Sequence, residues 1–131
     1  MDKEQEPKDE GLYLVLLSSG LDNPALARSA LMFATVARAA YDLRTVVYCV
    51  QNGADVLVKG GAEKEPPLKP GLPTMKQRLA EALEAGVELQ VCEVTAINKG
   101  IREEDLIPGA RITGAATLID LSMDAVGSLS F

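Results

Sequence analysis

The chain has 131 residues, 47% of them hydrophobic, which suits a single domain with a core of its own. Its formal net charge of -6 and the lack of a basic stripe argue against nucleic acid or a membrane surface as a direct partner. Histidine is absent, which excludes Ser-His-Asp and Cys-His catalysis, and two cysteines are too few for a disulfide framework or a zinc site.

The amino terminus is charged and does not resemble a signal sequence. Residues 1–11, MDKEQEPKDEG, predict a disordered tail, and the folded domain is expected to span residues 12–131. No apolar run approaches the roughly 20 residues that cross a bilayer. These features indicate a cytoplasmic protein whose two thiols are reduced at rest.

The first half of the domain alternates between strand and helix patterns. Residues 12–17 are all apolar, as expected of a strand that is covered on both faces, and we interpret them as the central strand. Asn23 and Pro24 suit the start of a helix that runs to about Tyr41. Residues 45–50 form a second β-branched run, and the order of elements predicts a right-handed parallel crossover.

A long connection follows the second strand. Residues 51–73 are rich in Gly, Pro and charge, and they predict a short turn followed by a mobile flap. Thr74 and Gln77 then have the spacing of a capping box, and Gly86 is placed to end the helix that they begin. Residues 88–92 predict the third strand.

The carboxyl-terminal third completes the pattern. It predicts a brief strand near 111–113, a helix over 114–125 and a closing strand at the end of the chain. The sequence therefore predicts a single-domain, three-layer α/β sandwich with a mostly parallel sheet of about five strands. We expect the flavodoxin-like strand order, which places the first strand between the second and the third.

Cys92 falls where the third strand ends, at the edge of a parallel sheet where ligands bind. If a helix begins directly after it, the N–H groups and dipole of that helix stabilise a thiolate, with Lys99 or Arg102 as cationic support. Such a thiolate can accept sulfur and pass it on. The alternative is that Cys92 is a small buried hydrophobe.

Cys49 lies inside a β-branched run and is interpreted as a core residue. A disulfide between Cys49 and Cys92 is not expected. With the first strand between theirs, the two Cα atoms would be about 9–10 Å apart, beyond the limit of about 7 Å for a disulfide.

Two glycine-containing segments offer N–H groups to an anion. Ser18, Ser19 and Gly20 precede the first helix, although they match no phosphate-binding motif and a tight turn with a cap is the alternative. Lys59 and the two glycines after it can form a small nest over the crevice, although a mobile Gly-rich loop needs no ligand. Lys99 is a further candidate for binding a substrate or an anion.

Four segments carry a resemblance to a known family: LYLVLLSSGLDNPALARSALMFA, VVYCVQNGADVLVKG, ELQVCEVTAINKGI and EDLIPGARITGAATLIDLSMDAVGSLSF. In this order they resemble the DsrE/DsrF-like sulfur-relay family, which includes the Tus-type carriers of tRNA thiolation, from Leu12 to Phe131. Many relatives carry Ala and an Arg-Gly pair shortly after their cysteine, whereas here Ala96 is followed by Lys99 and Gly100.

The resemblance implies a doubly wound α/β layer in a homotrimer or homohexamer, with a reactive cysteine after the third strand, the position of Cys92. It implies that Cys92 accepts a persulfide sulfur from a donor protein and passes it to an acceptor protein, with no cofactor. From its length, we further expect the connection over residues 51–73 to shield the persulfide from water and oxidants. Two other functions stay open. One is a binding module for a small anion or nucleotide, and the other is a structural or regulatory subunit of a ring.

Overall fold

A single five-stranded sheet organises the protein. The computed structural model describes residues 11–131, so the predicted tail over 1–11 lies outside the described residues except for Gly11. The strands are β1 (Leu12–Leu17), β2 (Arg44–Cys49), β3 (Glu88–Cys92), β4 (Ala110–Thr113) and β5 (Ala125–Ser130). The helices are α1 (Pro24–Tyr41), α2 (Met75–Ala85), α3 (Glu93–Lys99) and α4 (Ala115–Asp124).

All of the strand pairs in this sheet are parallel. Helices α1 and α2 pack on one face, where Leu31 and Met75 are fully buried, and α4 places Leu121 on the other face. Parallel sheets are covered in this way because the crossover helices lie on their faces. The predicted α/β class, five strands and three layers are confirmed.

The flavodoxin-like strand order is wrong. The observed order is β4-β3-β2-β1-β5, so the central strand is β2, and β1 lies between β2 and β5. The chain winds in one direction through its first four strands and returns only at the end, when α4 crosses the opposite face to reach β5. Both orders allow right-handed crossovers. β1 (LYLVLL) is the more apolar strand, but the VVYC run of β2 is also apolar enough to be covered on both faces, so the apolar pattern does not identify the central strand.

The helix ends follow the capping rules that the sequence indicates. The Asn23 side chain accepts a hydrogen bond from the Leu26 N–H at the start of α1. Thr74 and Gln77 form a reciprocal capping box at the start of α2, with N···O distances of 2.8 and 3.1 Å. Gly86 ends α2 with a φ of 96°, a left-handed conformation that glycine adopts at low cost. These predictions are confirmed.

The long connection after β2 is fixed to the domain at several points. Its first part forms a 3₁₀ helix over Gln51–Leu57, where the sequence predicts a turn, and Val58 then makes a β-bridge with Leu106. Further on, the Glu65 carboxylate pairs with the Arg28 guanidinium of α1 and accepts the N–H of Met75 at the start of α2. Glu65 therefore joins the connection to both helices of one layer.

Replacing Glu65 tests this link. The side chains of Glu65 and Arg28 are 5% and 19% exposed, so Glu65→Ala leaves a largely buried guanidinium without its partner. We expect a loss of about 2–4 kcal/mol in the free energy of unfolding, measured in urea. In the control, Glu63→Ala, the lost pair with Lys76 is exposed and is expected to cost less than about 1 kcal/mol. Equal losses in the two variants would contradict a structural role for Glu65.

Candidate functional site

Cys92 occupies the junction between β3 and α3 at the carboxyl edge of the sheet. It is the last residue of β3 and the N-cap residue of α3, which begins at Glu93. The condition set for a stabilised thiolate, a helix that starts directly after Cys92, is therefore met. Its thiol is free and partly exposed, and it lies on the face of the sheet that α4 covers. Its position and partial exposure therefore leave the sulfur accessible from solution.

The surroundings of the sulfur favour its thiolate form. Burial acts in the opposite direction, but the N–H groups of Thr95 and Val94 and the hydroxyls of Tyr48 and Thr95 together lower the pKa of Cys92. The Cys92 side chain makes no N-cap hydrogen bond to the first turn of α3. The donors that face it therefore matter most once the sulfur carries negative charge, because hydrogen bonds to ionised groups are the stronger ones.

Two cations expected near the sulfur have partners elsewhere. Lys99 lies at the other end of α3, where its Nζ is 3.2 Å from an Asp55 carboxylate oxygen. Arg102 pairs with Glu104 and Asp105. The structure thus replaces the predicted cationic support with neutral N–H and O–H donors.

Sequence reasoning missed Tyr48. It lies on β2, is fully buried, and directs its hydroxyl to the carbonyl oxygens of Thr113 and Gly114, at 3.2 and 2.9 Å. A signal is present in the alternation along β2, because Tyr48 must face the side opposite to Cys49. That Tyr48 lies near Cys92, however, can be inferred only when the strand order, with β2 next to β3, is known.

Cys49 is a core residue, as predicted. It is fully buried on the face that α1 and α2 cover, and burial raises the pKa of its thiol to about 12. The two cysteines are free, which confirms the absence of a disulfide, but the predicted reason is wrong. Their strands are neighbours, and Cys49 is paired with Val91. Cys92 follows Val91 and therefore points to the opposite face.

In the turn at Ser18, Ser19 and Gly20, the donors of Ser18 and Gly20 are bonded within the protein. The Ser18 N–H and hydroxyl both donate to the Phe131 carbonyl, at 2.8 and 2.9 Å. The Gly20 N–H donates to the Asp22 carboxylate at 2.8 Å and lowers the pKa of that carboxyl. An external anion would have to displace Asp22, so the arrangement favours a tight, capped turn.

Gly20 also has a packing role. A Cβ atom built on Gly20 would lie 2.0 Å from the carbonyl oxygen of Asn52, in the 3₁₀ helix that follows β2. Only glycine allows such a close approach of two backbones without displacement. This position is therefore explained by the contact between the first turn and the long connection.

The structure brings Lys59 and Lys99 together in a cleft of about 770 Å³ and adds Lys64, which sequence reasoning missed. Asp55, Glu104 and Asp105 line the same cleft, whose charge is therefore mixed. The Lys59 N–H already donates to the Asp105 carbonyl at 2.9 Å. The cleft contains the carboxyl end of α3, an axial distance of roughly 10 Å from the helix start at Cys92.

Two kinds of feature are absent from residues 11–131. Within this part of the chain, no three His, Cys, Asp or Glu side chains come together in a group that could hold a metal ion. The helices described there include none that is long and apolar enough to cross a membrane.

This chain is similar in sequence to a known protein family and in fold to solved structures. Residues 12–131 match the sequence model of the DsrE/DsrF-like family. An uncharacterized protein of Methanocaldococcus jannaschii, MJ0760, is 28% identical over 106 residues, which are 81% of this chain and 38% of that protein. The chain thus spans less than half the length of this relative.

Two solved structures share the fold. The ychN protein from E. coli superposes with a TM-score of 0.71 over 92% of this chain and 98% of its own, at 19% sequence identity. MTH1491, a protein of unknown function from Methanobacterium thermoautotrophicum, gives a TM-score of 0.61 over 87% of this chain and 93% of its own, at 16% identity. At these identities, the likeness concerns the fold alone.

The two thiols are expected to differ sharply in reactivity. Cys92 is partly exposed with a lowered pKa, whereas Cys49 is buried with a pKa of about 12. In native protein near neutral pH, iodoacetamide should modify Cys92 at least about tenfold faster than Cys49, since the thiolate is the nucleophile. Peptide mass spectrometry locates the label, and protein unfolded in guanidinium serves as the control in which both react. Preferential labelling of Cys49 would contradict this assignment.

Proposed function

The chain belongs to the DsrE/DsrF-like family, and on this premise we propose that it is a sulfur carrier that holds a transferable sulfur on Cys92. The observation that carries the proposal is the site of this residue, a free and accessible thiol at the carboxyl edge of a parallel sheet with its pKa lowered by surrounding donors. These are the properties of a nucleophilic cysteine, whereas a structural cysteine is buried and inert.

The proposed loading step is a thiol–disulfide type of exchange. The Cys92 thiolate attacks the outer sulfur of a donor persulfide, R–S–SH, and forms a new S–S bond. The bond between the two donor sulfurs breaks, and the donor leaves as the thiolate R–S⁻. The product is Cys92–S–SH, and the step needs no oxidant, metal or organic cofactor.

Delivery repeats the same exchange with an acceptor. An acceptor thiolate attacks the outer sulfur of the Cys92 persulfide, and the Cys92 thiolate leaves. A lowered pKa serves both directions, because it increases the fraction of attacking thiolate and makes the same sulfur a better leaving group. The donors around the sulfur, among them the Thr95 N–H, would stabilise the charge that returns to it.

The surface beside Cys92 supports docking of donor and acceptor proteins. Val94 and Ile97 lie on one side of α3, one turn apart, and are 57% and 72% exposed. Exposed apolar residues next to a reactive group provide a contact surface for a partner. We place this exchange in the cytoplasm, where thiols are kept reduced.

Persulfide loading is the direct test. After incubation with a persulfide donor and washing, the wild type should gain one sulfur atom, about 32 Da, which a reductant removes. The Cys92→Ser variant should show no gain, and Cys49→Ala should load like the wild type because Cys49 lies on the opposite face. Intact-mass spectrometry measures all three. A folded wild type that gains no mass would overturn the proposal and favour a binding module or a structural subunit.

We also propose that copies of this chain assemble at the β5 edge of the sheet. A groove of about 270 Å³ lies there, and its lining is almost entirely apolar. It is formed by Tyr13, Phe33, Val36, Ala37, Tyr41, Leu43 and Leu129. Among residues 11–131, β5 is paired on one side only, and Tyr41 is 71% exposed. An open strand edge beside an apolar surface is suited to contact with a second copy.

A charge placed in this groove should dissociate the assembly. Val36→Asp would bring an unpaired carboxylate into an apolar interface, which costs several kcal/mol. Size-exclusion chromatography with light scattering should show the wild type as a trimer or hexamer and the variant as the 13.9 kDa monomer. Ile97→Asp is the control, because Ile97 is also exposed (72%, against 43% for Val36) but lies outside the groove, and it should leave the assembly intact. A monomeric wild type, or a variant that still assembles, would contradict this interface.

A further inference from the structure

The Tyr48 hydroxyl reaches across a neighbouring strand to the sulfur site. Tyr48 on β2 pairs with Gln90 on β3, and β4 lies beyond β3. The hydroxyl nevertheless contacts the carbonyls of Thr113 and Gly114 at the end of β4. The phenol ring must therefore lie over β3, on the face and at the end where Cys92 follows Gln90 by two residues. Its hydroxyl lies beside the Cys92 sulfur.

The hydroxyl has more acceptors than protons. A phenol carries one O–H, and here the Gly114 carbonyl at 2.9 Å, the Thr113 carbonyl at 3.2 Å and the Cys92 sulfur all lie within its reach. A neutral thiol is a weak acceptor, so a carbonyl takes the proton while Cys92 is protonated. A negatively charged sulfur is a much stronger acceptor and competes with the carbonyl.

The surroundings fix the position of the Tyr48 ring but allow its O–H to point to either acceptor. Tyr48 is fully buried in the same cluster as Val46 and Leu121, so only its O–H bond needs to rotate. The end of β4 is held by a 2.8 Å hydrogen bond from the Thr113 hydroxyl to the Gln90 side chain.

The phenol also keeps its proton when the sulfur loses its own. Burial first, and then the charges of Cys92 and Glu93, raise the pKa of Tyr48. Glu93 is the first residue of α3. The charged side chains of β2 and β3 are Arg44 and Glu88, which pair with each other at the amino ends of these strands, away from the Tyr48 hydroxyl.

We propose that Tyr48 is a positioning residue for the Cys92 sulfur, and that its hydroxyl turns from the Gly114 carbonyl to the sulfur when the sulfur becomes negatively charged. This inference deepens the proposed sulfur transfer and rests on it, because the same donor then fixes the attacking thiolate and the persulfide that it forms. No new bond or redox change is involved, only the exchange of one hydrogen-bond acceptor for another.

Tyr48→Phe tests the inference, since it removes the hydroxyl and keeps the ring. The measurement is the rate of Cys92 alkylation by iodoacetamide as a function of pH. The midpoint should rise by about one pH unit, the effect of losing one hydrogen bond to a charged group. Tyr13→Phe is the matched control, because Tyr13 lies on the opposite face, and its midpoint should equal that of the wild type. An unchanged midpoint in Tyr48→Phe would overturn the inference, because a purely structural role changes exposure and leaves the midpoint in place.

A second substitution covers the case in which Tyr48→Phe does not fold. Site-specific 3-fluorotyrosine at position 48 keeps the ring and the hydroxyl but makes the phenol a stronger donor. The alkylation midpoint should then move down, opposite to the change in Tyr48→Phe. A midpoint that stays at the wild-type value would count against the inference.

The alkylation test and the persulfide test are independent. A wild type that loads sulfur, with a Tyr48→Phe midpoint equal to that of the wild type, would refute the role of Tyr48 and leave the sulfur carrier standing. A shifted midpoint in a protein that never loads sulfur would refute the sulfur carrier, while the hydrogen bond to the thiolate would stand.

Discussion

The alternation of side chains along β2 and β3 is the constraint on which the site depends. Successive residues of a strand face opposite sides of the sheet, so Tyr48 and Cys49 are separated by a single peptide unit but lie in different environments. The same holds for Val91 and Cys92 on the next strand. Cys49 and Val91 complete the core beneath α1 and α2, while Tyr48 and Cys92 meet on the face of α4. The Cys49 thiol is therefore buried, and the Cys92 thiol remains partly exposed.

The second consequence of the sheet is that parallel strands end at one edge. Cys92 and the Thr113–Gly114 carbonyls are neighbours because β3 and β4 end together, with Cys92 paired to Thr113. The immediate start of α3 adds the N–H groups of its first turn. The lowered pKa of Cys92 thus arises from donors of the backbone and of two hydroxyls, acting against burial, and not from a cation. The thiolate can therefore be stabilised without a nearby cation in a chain whose formal net charge is -6.

Much of the fold could be predicted because its signals are local. Apolar runs, the Asn23 cap and the capping box at Thr74 each act within a few residues, and they define the elements. The position of Cys92 follows from the end of such a run. Strand order is different, because β1 and β2 each carry an apolar run long enough for a strand covered on both faces, and either can be central. The contribution of Tyr48 depends on that order, and the approach of Lys64 to Lys59 and Lys99 depends on how residues 51–73 fold back.

Phe131 joins the carboxyl end of β5 to the rest of the domain. Phe131 donates its N–H to Leu16, accepts two hydrogen bonds from Ser18, and stacks on Phe33 with ring centroids 5.8 Å apart. Because every strand runs in the same direction, Phe131 lies at the same edge as Cys92, three strand spacings or roughly 15 Å away. A fluorophore attached next to Phe131 would therefore be held by this contact within energy-transfer range of a labelled protein that docks at Cys92.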